Sequence, residues 1–184
     1  MTGLAALLTG GVVAAARGLL GQRLRSEIGG VACEVMLTEV EAYGGADDPA
    51  SHAFGGPGNR NASMFGPAGT LYVYRSYGVH WCMNVVTGAR GRASAVLLRA
   101  GRPLAGEEHM RRRRGRADCL CSGPGRLAQA LGVSGEQDGT SLFDGPVWLL
   151  TGPAAGGQVV AGPRVGITRA ADRPWRFRLI VPGG

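Results

Sequence analysis

The sequence predicts an α+β fold, a single domain around a mostly antiparallel β-sheet with helices interspersed. Three observations carry this. The chain has 184 residues, within the ~100–200 typical of one domain. Its strand-like segments follow one another in hairpin order, with helical stretches between blocks of strands rather than in regular alternation. It has no internal repeat and no break in composition, so residues 1–184 read as one unit.

Met1 to Leu20 is apolar but has no basic leading segment, and its Gly and Ala suit a short helix better than a secretory signal. Val13–Leu20 reads as helix and Gln22–Arg25 as the start of a strand. Val31–Glu41 (VACEVMLTEVE) is rich in branched residues, and as a strand it places Glu39 and Glu41 on one face. Gly44–Gly69, dominated by Gly, Pro, Asn, Asp and Ser, reads as a long loop, and loops of that length in a compact domain are usually functional. Thr70–Val86 is extended and aromatic, with a hairpin tip at Ser76–Gly78. Ala95–Ala100 reads as a strand, Leu104–Arg114 and Ser122–Leu131 as helices, Pro146–Leu150 as a short strand, and Val159–Thr168 and Trp175–Val181 as two closing strands.

The formal charge of +7 makes a polyanion the expected partner. All 20 basic side chains are arginine, whose planar fork suits phosphate, and the absence of lysine leaves only the α-amino group for Schiff-base chemistry. Cys33, Cys82, Cys119 and Cys121 are too scattered for a disulfide framework, and Cys119-Leu120-Cys121 lacks zinc-ligand spacing, so no metal is expected. No apolar run reaches the ~20 residues of a membrane span, and a soluble, cytoplasmic protein is expected.

The densest chemistry lies between Thr38 and Asn84. Glu41, at the mouth of the long loop, is placed to take a proton from water; the plainer reading is a surface glutamate at a strand end. Tyr43, Tyr72, Tyr74, Tyr77 and Trp81 surround one loop and one hairpin. Tyr72 and Trp81 read as sheet packing, whereas Tyr77 at the tip would project outward, as a wedge entering a base stack does. His52 is a loop histidine, His80 reads as packing, and Asn84 and Arg99 lie on apolar strands where each could simply satisfy the core. Arg111–Arg114 with Arg116 is either a solvated face or a phosphate contact. The H-x-E signature of zinc base deaminases is missing, since Ala53 and Phe54 follow His52.

With these residues in place, the chain resembles the 3-methyladenine DNA glycosylase family of the alkyladenine type. The matching stretches are TEVEAY (38–43), DPASHAF (48–54), RNASMFGPAGTLYVYRSYGVHWCMNVV (60–86), AVLLRA (95–100), CSGPGRL (121–127), PRVGI (163–167) and ADRPWRF (171–177). The resemblance implies a compact α+β domain around a curved, mostly antiparallel sheet with flanking helices. It implies a monofunctional enzyme without cofactor, acting as a monomer at the bacterial nucleoid on double-stranded DNA with alkylated or deaminated purines. Its catalytic glutamate falls on Glu41, its arginine water ligand on Arg99, and a carbonyl completing the water site on Val165. The base-pocket residues fall on Tyr43, His52, Tyr74 and Asn84, the last crowding the amino group of normal guanine, and the intercalating tyrosine falls on Tyr77. The alternative is a catalytically silent DNA-lesion binder on the same scaffold, which would need neither Glu41 nor Arg99.

Overall fold

The computed structural model describes residues 3–153 and 156–181, so the extreme ends of the expected 1–184 domain lie outside the described residues. The elements run α1 (Gly3–Thr9), α2 (Val12–Leu19), β1 (Arg23–Ile28), β2 (Val31–Tyr43), β3 (Leu71–Ser76), β4 (His80–Thr87), β5 (Ser94–Ala105), α3 (Glu107–Arg114), α4 (Pro124–Leu131), β6 (Val147–Leu150), β7 (Gln158–Gly162) and β8 (Arg176–Ile180). The strands form one antiparallel, curled sheet in the order β3-β4-β5-β2-β1-β6, with β8 paired to β2 and β7 to β8. The fold is α+β, as the hairpin order predicted.

β2 is the pivot. Over Val31–Met36 it pairs with β1, and over Glu39–Glu41 it pairs with β8, while β5 follows it from Glu34 to Tyr43. The β2–β5 register jumps from Leu37↔Gly101 to Glu39↔Ala100 and then to Val40↔Leu98. Thr38 and Arg99 are thereby left without partners, and such irregularities bend a strand and re-aim its side chains.

Alternation then divides the sheet into two chemical faces. Leu71 and Val73, Met83 and Val85, Val96 and Leu98, and Val40 and Ala42 point into the main core, where they meet α2, α4 and Met110 of α3. Their neighbours Tyr72, Tyr74, Cys82, Asn84, Leu97 and Arg99 line a cleft on the opposite side. A smaller apolar cluster of Ala53, Met64, Tyr72, Val86, Ala93 and Ala95 supports that side beneath the long loop.

Several boundaries differ from expectation. The N-terminal apolar stretch is two helices, because Gly10 and Gly11 interrupt it. Leu104 and Ala105 close β5, and the helix starts only at Glu107, after Gly106 adopts a left-handed φ of 75° in contact with Ala32 and Cys33. The strand expected over Val159–Thr168 stops at Gly162, where Pro163 removes a ladder donor. His80, expected to pack inside, is exposed beside Gly125 of α4. Among the described residues no helix is long and apolar enough to cross a membrane.

Candidate active site

The sheet's polar face forms a cleft of about 460 Å³, bounded by β2–β5, the long loop at Ala50, His52, Arg60 and Met64, the N-terminus of α4 at Pro124, and the segment Val165–Ile167. Glu41 lies beneath it with a relative exposure of 0%. A buried carboxylate needs every oxygen satisfied. The Tyr43 hydroxyl donates to Oε2 at 2.9 Å, the Val165 amide to Oε1 at 2.8 Å, and an Arg99 terminal nitrogen lies 3.3 Å from Oε1. Glu41 is therefore not a surface glutamate at a strand end.

Arg99 is the unpaired residue of the β5 irregularity, which turns its guanidinium onto the polar face. Its Nε donates to Glu39 at 2.7 Å, and the same Glu39 oxygen accepts from Arg176 Nε at 2.8 Å. Burial lowers the Arg99 pKa, but the Glu41 and Glu39 charges outweigh it and raise the group above its ordinary value. Burial likewise pushes Glu39 up, and its two arginines still hold it below the usual carboxylate range. The result is a chain of alternating charge, Arg176, Glu39, Arg99, Glu41, along one sheet face.

The pocket walls are aromatic. His52 meets Tyr74 edge-on with centroids 4.5 Å apart, and Tyr74 lies 5.6 Å from Tyr72. His52 Nδ1 is hydrogen-bonded to the Tyr72 hydroxyl at 2.9 Å. Burial, and then the charge of Arg60, lowers the His52 pKa from its ordinary 6.5, so the ring is neutral at pH 7. Burial first, and the Glu41 charge second, push the Tyr43 phenol far above its ordinary range, so toward Glu41 it only donates. Burial similarly raises Tyr74, and Tyr72 is pushed up to about 12. Asn84 Nδ2 is held by the Tyr72 carbonyl at 3.1 Å on the pocket floor.

Tyr77 stands at the rim, 92% exposed, at the tip of the β3–β4 hairpin. Tyr77 and Gly78 have φ of 50° and 69°, and Val79 N–H donates to Ser76 at 3.0 Å. A non-glycine residue with positive φ at a tip is strained, and such strain clusters at functional positions. An aromatic ring this exposed gains little from folding and is available to a partner.

Tyr43, His52, Tyr74, Tyr77, Asn84, Arg99 and Val165 all line this cleft, and Glu41 lies buried behind Tyr43, Arg99 and Val165. The resemblance puts a Val165 carbonyl at the site; the Val165 group that meets Glu41 is its amide. Sequence reasoning overlooked the Tyr72 hydroxyl as the support of His52, Glu39 as the partner of Arg99, and Arg60 at the cleft wall. The period of two from Tyr74 and Glu41 pointed to the first two. It also overlooked the Asp48–Arg164 pair, 116 residues apart in sequence, which no local signal announces. The Arg111–Arg116 run lies outside the cleft, and each of its arginines has an internal partner.

Compared with known proteins, the chain matches the model of a family described as methylpurine-DNA glycosylase (MPG) over residues 7–181. A provisionally named 3-methyladenine DNA glycosylase of Rhodopseudomonas palustris (strain BisB18) is 57% identical over 146 residues, covering 78% of this chain and 72% of the relative. One of the same name from R. palustris (strain HaA2) is 54% identical over 164 residues, 88% and 78% of the two chains. Another from Nitrosospira multiformis is 50% identical over 167 residues, 89% and 83% of the two chains.

Proposed function

From the premise that the chain belongs to the methylpurine-DNA glycosylase family, whose members are DNA glycosylases for alkylated bases, we propose that it flips a damaged purine out of duplex DNA into the cleft. There it hydrolyses the N-glycosidic bond with water activated by Glu41. The observation that carries this is a fully buried carboxylate directly behind an aromatic cleft, bonded to three residues that line it, Tyr43, Val165 and Arg99.

The water oxygen attacks C1′ of the flipped nucleotide as the C1′–N bond breaks. The bonding pair leaves with the purine, and the water's proton passes to Glu41. The sugar is oxocarbenium-like in the transition state, so a carboxylate near C1′ stabilises positive charge as well as removing the proton. Alkylation makes the base a cation and a good leaving group, and a cation stacks well on the faces of Tyr43 and Tyr74. Neutral His52 forms the other wall without repelling it, and Asn84 crowds the exocyclic amino group of normal guanine. Tyr77 fills the gap left in the duplex. Without lysine no side-chain Schiff base forms, which fits a monofunctional hydrolase. The substrate is duplex DNA with an alkylated or deaminated purine, one monomer per lesion, at the bacterial nucleoid.

Single-turnover release of base from a duplex with one hypoxanthine or 3-methyladenine tests the reading. The parent releases base, and Glu41→Gln binds the duplex but releases none. Base release by Glu41→Gln at the parent's rate would remove Glu41 from the mechanism. Lesion binding by both without release would favour the silent-binder alternative.

A further inference from the structure

The two donors that fix Glu41 come from different parts of the chain, Tyr43 from β2 and Val165 from the segment after β7. One side chain touches both parts. The Arg164 guanidinium is fully buried and forms a two-pronged ion pair with the fully buried Asp48, NH2 lying 2.9 Å from Oδ1 while NH1 meets Oδ2. NH1 also donates to the Ala42 carbonyl at 3.0 Å, and NH2 to the Ala170 carbonyl at 3.2 Å. Its centre sits 4.7 Å from the centroid of the Tyr43 ring and 5.3 Å from that of Trp175. Arg164 thus clamps the backbone beside Tyr43, the ring of Tyr43 and, through the chain, the adjoining amide of Val165.

Asp48 is itself built in. It accepts from the Gly44 amide at 3.0 Å and the Ala50 amide at 3.2 Å, with Arg173 3.8 Å away. Burial pushes its carboxyl up, and these hydrogen bonds, Arg164's first, still hold it below the ordinary carboxylate range. The loop that carries His52 is therefore tied to the same guanidinium. A buried ion pair adds little net stability compared with well-packed apolar side chains. Its geometry, by contrast, is specific, because only a planar fork reaches a carboxylate and two carbonyls at once.

We propose that Arg164, locked by Asp48, is a positioning residue for base excision: it aims the Glu41 carboxylate by fixing the Val165 amide and the Tyr43 hydroxyl together. This rests on Glu41 as the general base. Arg164 does not line the cleft, so its loss acts on the rate through Glu41, and the rim at Tyr77 with the walls at Tyr74 and Asn84, which it does not touch, sustains lesion capture.

The test uses Arg164→Lys, which keeps the charge and loses the fork, and the neutral pair Asp48→Asn/Arg164→Gln. Asp48→Asn alone is the milder third variant, judged by the same criteria if the others do not melt cooperatively. For each, melting, affinity for a lesion duplex and single-turnover base release are measured with and without Tyr43→Phe, and Glu41→Gln is run alongside. The expected result is a cooperative melt, affinity within about threefold of the parent, and release slowed about thirtyfold or more, the scale that misplacing a reacting group produces. Tyr43→Phe should also cost less in these backgrounds than in the parent, because the hydroxyl is no longer aimed; a merely structural role leaves that cost unchanged. Release at the parent's rate from a folded Arg164→Lys, or an undiminished Tyr43→Phe cost, overturns the proposal while leaving Glu41 as base. Release indifferent to Glu41→Gln overturns the reading beneath it.

Discussion

Arg111 to Arg114 and Arg116 stand within six consecutive residues, whereas Arg60, Arg75, Arg99 and Arg164 are scattered along the chain and converge only on folding. The first group looks like the nucleic-acid contact, yet every one of its guanidiniums is engaged within the protein, three of them by carboxylates. Arg111 pairs with Glu107, Arg112 with Glu108 and Arg116 with Asp118; Arg114 meets Gln129, and Arg113 turns inward to the carbonyls of Ile28 and Ala130. In the second group Arg99 and Arg164 are committed to buried carboxylates, and Arg60 and Arg75 line the cleft with no carboxylate partner among the described residues. Density of charge along a sequence is thus a poor guide to where free charge lies. What matters is the distance to the nearest acid.

The comparison breaks most readily at Arg99. Arg99→Leu should slow single-turnover release by about 10²–10³-fold, the cost of removing a preorganised charge beside a reacting centre. Arg112→Ala should leave it unchanged. Equal rates in the two variants would erase the distinction between the groups.

Stability sharpens it next. Arg113→Ala strips two carbonyls and the Cys33 sulfur of their donor and should cost about 2 kcal/mol in denaturant unfolding. Arg112→Ala breaks only an exposed pair within one helix and should change stability by less than about 0.5 kcal/mol. A comparable loss from Arg112→Ala would mean the run acts as one network.

Salt dependence addresses the free charges. Arg60→Gln and Arg75→Gln should each flatten the plot of log affinity for duplex DNA against log salt by about one unit, and Arg111→Gln should not. A flatter plot for Arg111→Gln alone would return phosphate contact to α3.

The smallest effect is a pH shift. Burial and Arg60 hold His52 below its ordinary 6.5, so the unfolded chain takes up this proton first. Stability should accordingly fall as pH drops below about 6.5 and level off below the folded value. Affinity for a duplex carrying cationic 7-methylguanine should fall over the acid side of that window, and Arg60→Gln should move this limb toward higher pH. A limb that stays in place would show that burial alone sets the ring's charge.

What was legible in the sequence was whatever has a short period. Alternation placed Glu39 with Glu41 and Tyr72 with Tyr74, and the Tyr77-Gly78 tip stood out because left-handed turns have few residues to choose from. The packing assigned to Tyr72 was right about its burial and silent about its hydroxyl, since alternation gives a face and not a partner. The exposure of His80 was missed because it is the first residue of β4, next to the exposed hairpin tip, where strand alternation no longer implies burial. Arg99 owes its direction to an irregularity in register, and Asp48–Arg164 to loop closure across most of the chain; neither leaves a trace in local pattern.

The two-faced sheet has a practical corollary for redesigning lesion preference. On β3, β4 and β5 the pocket walls and the main core occupy alternate positions, so a library confined to residues 74, 82, 84 and 97 varies what the cleft admits while Tyr72 and every neighbour facing the main core keep their native side chains. Selection for a new base and selection for a folded chain then act on separate sets of letters in the same strands.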